Sequence, residues 1–119
     1  MTVRRYRDLK VWQRSMDLAV MAYDHTDSFP VAERYGLTSQ IRRAAVSIAA
    51  NIAEGQGRAH TGEFLNHLSI ARGSLQELET LLLIGERRQY LSQNELDGLL
   101  EITDHVSRML TVLRRSLTR

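Results

Sequence analysis

Apolar residues recur at three- and four-residue spacing in four blocks along the chain. Each block is bounded by residues that start or stop helices. Leu9, Trp12, Met16, Ala19 and Tyr23 form one helical face behind Asp8, a good N-cap. This first helix is expected over about 8–27, because the residue before Pro30 is pushed out of the helical region. Pro30 to Tyr35 reads as a single helical turn closed by Gly36. Thr38 can cap a second helix, over 38–55, whose core face is Ile41, Ala45, Ile48 and Ile52 and whose end is set by Gly55 or Gly57. A third helix, 61–88, opens at Thr61 and has the cleanest seam: Phe64, Leu68, Ala71, Leu75, Leu78 and Leu82. Ser92-Gln93-Asn94-Glu95 matches the capping box, in which serine and glutamate satisfy each other's orphan amides. The fourth helix, 92–118, follows with Leu96, Leu99, Thr103, Val106, Leu110, Leu113 and Leu117. No sustained strand alternation competes. The pattern predicts an all-α chain, one domain over 1–119, folded as an antiparallel up-down-up-down four-helix bundle.

Several helices carry more apolar surface than one stripe needs. Val46, Ser47 and Ala50 lie away from the predicted core face of helix 2. Helix 3 has a second line through Ile70, Gly73, Leu81 and Ile84, and helix 1 adds Val11, Leu18 and Ala22 opposite its main seam. Left exposed together, these residues would exceed the apolar patch a soluble monomer tolerates. They are the expected oligomer interface. The competing arrangement is a broad core with tilted helices and scattered exposed aliphatics.

Composition narrows the function classes. The chain has 119 residues, 43% of them hydrophobic, and no cysteine, which removes disulfides, thiolate metal sites and a cysteine nucleophile. The longest charge-free apolar stretch, Ala44 to Ala53, is about half a membrane span. Arg4, Arg5, Arg7, Asp8 and Lys10 crowd the start with no apolar run behind them, so a cytoplasmic protein is expected. Net charge is only +2, yet of sixteen basic residues Lys10 alone is lysine. Arginine suits bidentate phosphate contacts, although a GC-rich genome also supplies it.

Placement matters more than number. In an up-down-up-down bundle the start of helix 1, the helix 2–3 connection and the end of helix 4 share one end. That end collects Arg4, Arg5, Arg7, Lys10, Arg58, Arg114, Arg115 and Arg119 against Asp8, Glu54 and Glu63, which leaves the rest of the chain net negative. These eight residues are the candidate nucleic-acid-binding surface. A solvated tail, and cations complementing the dipole of helix 4, would put the same residues there without a ligand.

Catalytic chemistry has little to stand on. Glu63 and His67, and Glu101 and His105, are four apart, not three as di-iron bundles require. Glu101 and Asp104 form one acidic pair with no evident partner for magnesium. No catalytic residue, metal site or cofactor is expected, and the Gly55-Gln56-Gly57 segment reads as a helix-ending loop. A nucleotide hydrolase built around Glu101 and Asp104 is the third and weakest reading.

Five segments resemble a bacterial family: Asp8-Leu9-Lys10-Val11-Trp12-Gln13; Phe29-Pro30 through Tyr35-Gly36-Leu37; Ser39 through Ile48; Asn51 through Arg58; and Ala71 through Thr80. They run in order and resemble the four-helix-bundle proteins encoded within intervening sequences of 23S rRNA genes, often labelled ribosomal-protein-like. The resemblance implies a small cytoplasmic bundle assembling as a homo-oligomer, a pentamer, of poorly defined role. Members often carry proline where this chain has Ala49, which implies a straighter helix 2 here. Asn51, Glu54, Arg72 and Glu77 are the expected structural polar network, with Glu54 paired to Arg58 or Arg72. The leading expectation is therefore a non-enzymatic homo-oligomer contacting structured RNA, in rRNA or a ribonucleoprotein, through its basic end. The alternative is an oligomeric scaffold that binds a partner protein. No membrane and no small-molecule substrate are expected.

Overall fold

The computed structural model describes residues 5–118. They form four long helices, α1 (Lys10–Thr26), α2 (Leu37–Gln56), α3 (Thr61–Arg87) and α4 (Gln93–Leu117), with single 3-10 turns at Tyr6–Asp8 and Val31–Glu33. Helices adjacent in the chain pack on one another, α1 closes the ring against α4, and the diagonal pairs do not meet. Cross-helix hydrogen bonds fix the directions. Arg14 reaches His105 and His25 reaches Glu95, so α1 and α4 run antiparallel. The structure is an elongated four-helix bundle, 44 × 25 × 19 Å.

The core is aliphatic. Leu18 of α1, Ile41, Ile48 and Ile52 of α2, Leu68, Leu75, Leu78 and Leu82 of α3, and Leu99, Val106 and Leu110 of α4 are all fully buried. Each is worth roughly 1.5–3 kcal/mol relative to exposure. The α2–α3 pair is the most intimate, because Ala45 and Ala71 add almost no bulk and Gly55 lies in the last turn of α2. A Cβ at Gly55 would lie 2.7 Å from His67 Cβ and 2.9 Å from Phe64 Cδ1, so only glycine fits that approach.

Helix α1 corrects the periodic reading. Its buried residues are Val11, Ser15, Leu18, Ala19, Ala22 and Thr26. Leu9 and Trp12 only flank the core, while Met16 and Tyr23 are exposed. Apolarity alone picks the face with the larger side chains. Packing picks the smaller one, because Ser15 and Thr26 return their hydroxyls to Val11 O and Ala22 O, each at 2.7 Å, and are buried at little cost.

The capping box of α4 forms as its sequence requires: Ser92 Oγ accepts from Glu95 N at 3.1 Å and Glu95 Oε1 accepts from Ser92 N at 2.8 Å. The other caps differ. Leu9 and His60 occupy the N-cap positions of α1 and α3 without side-chain bonds. At α2 the N-cap is Gly36, and Glu33 Oε1 accepts from Leu37 N at 3.1 Å. Thr38 is buried with its hydroxyl unpartnered.

Candidate nucleic-acid interface

The fold brings the start of α1, the α2–α3 connection and the end of α4 to one end. Tyr6 packs edge-on against Trp12, with ring centroids 5.1 Å apart. Both border a groove with Ala49 and Ala53 of α2. This contact anchors the leading 3-10 turn, and Gln13 Nε2 donates to Arg7 O at 2.8 Å to fix its exit. Arg5, Arg7, Lys10, Arg58 and Arg115 are exposed there, and Arg114 is half-buried. Arg4 and Arg119 lie outside the described residues. Asp8, Glu54 and Glu63 are exposed at the same end. None of the four ion pairs among the described residues involves any of these groups.

Two arginines have structural ties as well. Arg114 Nη1 donates to Ser69 Oγ at 2.8 Å and Leu65 O at 3.4 Å. Arg72 donates to Thr111 Oγ1 at 2.7 Å and to Ser107 Oγ and O at 3.3 Å. All these acceptors are neutral.

Within the single chain the expected polar network does not assemble. Glu54 and Glu77 are exposed on α2 and α3 and belong to no ion pair among the described residues, while Arg72 sits on the side of α3 that meets α4. Asn51 instead donates to Ser47 O at 2.9 Å and Ser47 Oγ at 3.1 Å, and its Oδ1 lies 3.0 Å from His67 Nδ1. Ser47 Oγ and Ser74 Oγ share a 2.9 Å bond. A ladder of side-chain hydrogen bonds therefore joins α2 to α3. Sequence reasoning missed the α4-facing role of Arg72. The signal was a polar line, Ser107, Thr111 and Arg114, at helical spacing between the apolar seams of α4.

The expected interface residues divide. Val11, Leu18, Ala22 and Leu81 are buried in the bundle itself, so they offer no surface to a second copy. Val46, Ala50, Ile70, Gly73 and Ile84 are exposed, and Ser47 is half-buried in the ladder. In place of the buried residues, Met16, Val20 and Tyr23 of α1 are exposed, at 41%, 57% and 44%. Trp12 and Met16 face Val46, Ala50 and Ala53 across an apolar groove of about 330 Å³. A second apolar cleft of about 480 Å³ runs between α1 and α4 past Leu9, Met109, Val112 and Leu113.

Among the described residues no group of three or more His, Asp or Glu side chains is placed to hold a metal. Glu101 is exposed, and Asp104 is engaged by Arg108 one turn on. None of the described helices is long and apolar enough to cross a membrane.

The profile of the 23S rRNA-intervening sequence protein family matches residues 7–112, nearly the whole bundle. The chain belongs to this family. Among solved structures, one similar in fold is the crystal structure of a protein of unknown function from the S23 ribosomal protein family of Bacteroides thetaiotaomicron VPI-5482. It superposes with a TM-score of 0.79 at 23% identity, over 87% of this chain and 97% of that one. No curated protein matches the chain. Family membership and superposition together establish the four-helix fold, and nothing in either points to catalysis.

Proposed function

We propose that the protein is a non-enzymatic, homo-oligomeric bundle whose basic end binds the phosphate backbone of structured RNA. One observation carries the reading: Arg5, Arg7, Lys10, Arg58, Arg114 and Arg115 converge on one end, and none is in an ion pair among the described residues. An excess of cations on one surface attracts polyanions by releasing condensed counterions, and arginine adds a planar fork for phosphate oxygens. The origin of the family name, genes inside 23S rRNA, makes rRNA the first substrate to try.

The test is a gel shift on structured RNA across a salt series, with wild type and the Arg58→Glu/Arg115→Glu double variant. Steep salt dependence, and weakening of tenfold or more in the variant, support the reading. Equal affinity in the two proteins overturns it.

A second reading has its own observation. The α1–α2 groove leaves Met16 and Val46 exposed around an alanine floor, which suits close approach of another helix. Through it the protein assembles with itself, as a pentamer, and in the scaffold alternative presents that assembly to a partner protein. Sedimentation of wild type against Met16→Glu/Val46→Glu tests this. A monomeric wild type at micromolar concentration defeats it, and dissociation of the variant alone supports it.

A further inference from the structure

Arg72, Arg114 and Arg115 border one open cavity of about 350 Å³ at the α3–α4 seam, together with Thr111 and Thr118. Among the described residues no carboxylate lines it. Arg72 and Arg114 are half-buried, and among the described residues they bond only to the neutral hydroxyl and carbonyl oxygens of Ser69, Leu65, Ser107 and Thr111. Those bonds occupy Nη1 and Nη2 of Arg72 and Nη1 of Arg114, which leaves N–H donors on both forks. Arg115, exposed, brings a third fork. Two other arginines that reach a neighbouring helix or turn do meet a carboxylate: Arg42 meets Asp27 at 3.0 Å and Arg14 meets Asp17 at 3.2 Å. Three like charges beside one cavity repel, more strongly as water is excluded, unless an anion sits among them. The carbonyl end of α4 works against an anion here, and the two arginines in its last turn offset that field.

We infer that this cavity is a phosphoryl-binding pocket, in which Arg72 and Arg114 are preset by their bonds to α4 and α3 and Arg115 closes over the anion. The hydroxyl anchors hold two guanidinium groups in place before the ligand arrives, which reduces the ordering cost of binding. A pocket of this kind takes one phosphate of a polynucleotide at a fixed position, where the rest of the basic end acts only as a diffuse field. Its use on RNA rests on the reading above; its affinity for the phosphoryl group does not.

Thermal unfolding in sodium phosphate and in sodium chloride of equal ionic strength tests the pocket directly. Wild type and Arg58→Glu should both gain several degrees from phosphate over chloride, since a ligand that binds only the folded state stabilises it. Arg72→Gln should lose that increment, whatever its own melting temperature. The Nε–Hε resonances of Arg72, Arg114 and Arg115 should shift together in a phosphate titration. No phosphate increment in wild type, or the same increment in Arg72→Gln, overturns the inference. Oligonucleotides with 5′-phosphate or 5′-hydroxyl ends then separate the sources. Equal binding, weakened alike by Arg72→Gln, assigns the pocket to internal phosphodiesters, and binding that requires the 5′-phosphate assigns it to a terminal phosphoryl group. A phosphate increment without any RNA affinity keeps the pocket and defeats the RNA reading.

Discussion

The two ends of the bundle use their charges differently. At the end formed by the α1–α2 and α3–α4 connections, Arg34, Arg87 and Arg88 are exposed, but Arg42, Glu33 and His25 are matched to neighbouring groups. Arg42 bridges Thr26 Oγ1 at 2.9 Å and Asp27 at 3.0 Å and lies over the Tyr23 ring, 4.6 Å from its centroid. Glu33 accepts from Leu37 N at 3.1 Å and from Tyr90 OH at 3.0 Å, tying the two connections together, and Phe29 packs on Tyr90 at 5.3 Å. His25 meets Glu95 at 3.1 Å, the same carboxylate that completes the capping box. At the other end the arginines either face water or bond to neutral oxygens. The first arrangement satisfies itself and holds the helices in register. The second leaves positive charge unspent, which is what a surface for an external anion needs.

The sharpest way to break this contrast is to move charge at each end in turn. Reversing Arg58 and Arg115 should weaken RNA binding tenfold or more at moderate salt and lower the salt slope by about two. Reversing Arg87 and Arg88 at the opposite end should change affinity less than twofold, measured by the same gel shifts.

Next in size is a packing change. Gly55→Ala forces a Cβ to within 2.7 Å of His67 Cβ, and overpacking of this kind costs about 1–3 kcal/mol. Urea denaturation should show the loss as a lower midpoint with an unchanged slope.

Smaller again is the capping box. Ser92→Ala should cost about 1 kcal/mol at neutral pH. Its backbone N–H and His25 hold the Glu95 carboxyl below the usual carboxylate range. A carboxyl lowered on folding contributes stability above its unfolded pKa, and that contribution fades as pH falls through its folded value. Urea midpoints taken from neutral pH down past the carboxylate range should fall less steeply in Glu95→Gln than in wild type.

The smallest effect is expected at Gln89, which sits between α3 and α4 with φ of 66°. Gln89→Gly relieves a left-handed backbone position and should stabilise by about 0.5–1 kcal/mol, read as a raised melting temperature.

Much of the fold was legible because helical periodicity is a local property. The seams of α3 and α4, the break at Pro30 and the box at Ser92 all depend on residues within a few positions of one another. The face of α1 was not, since Ser15 and Thr26 look polar in sequence and become buried only through their own carbonyl bonds. Trp12, Met16 and Tyr23 look like core and lie at its edge or outside it. The idea of spare apolar surface on α1 survives with its two faces exchanged. At the basic end, antiparallel order alone was enough to group Arg58 with Arg115. It could not tell that Arg72 turns to α4 and away from Glu54, because that depends on rotation of α3 about its axis.

By itself, then, the sequence determined four helices, their order, the capping box of α4 and the charge gathered at one end, all consequences of spacing and short connections. Only the tertiary structure decided which face of α1 is buried, how closely α2 and α3 approach at Gly55, and which arginines share a cavity. Those outcomes turn on side-chain volume and on hydrogen bonds between residues far apart in the chain, and a periodic pattern carries neither.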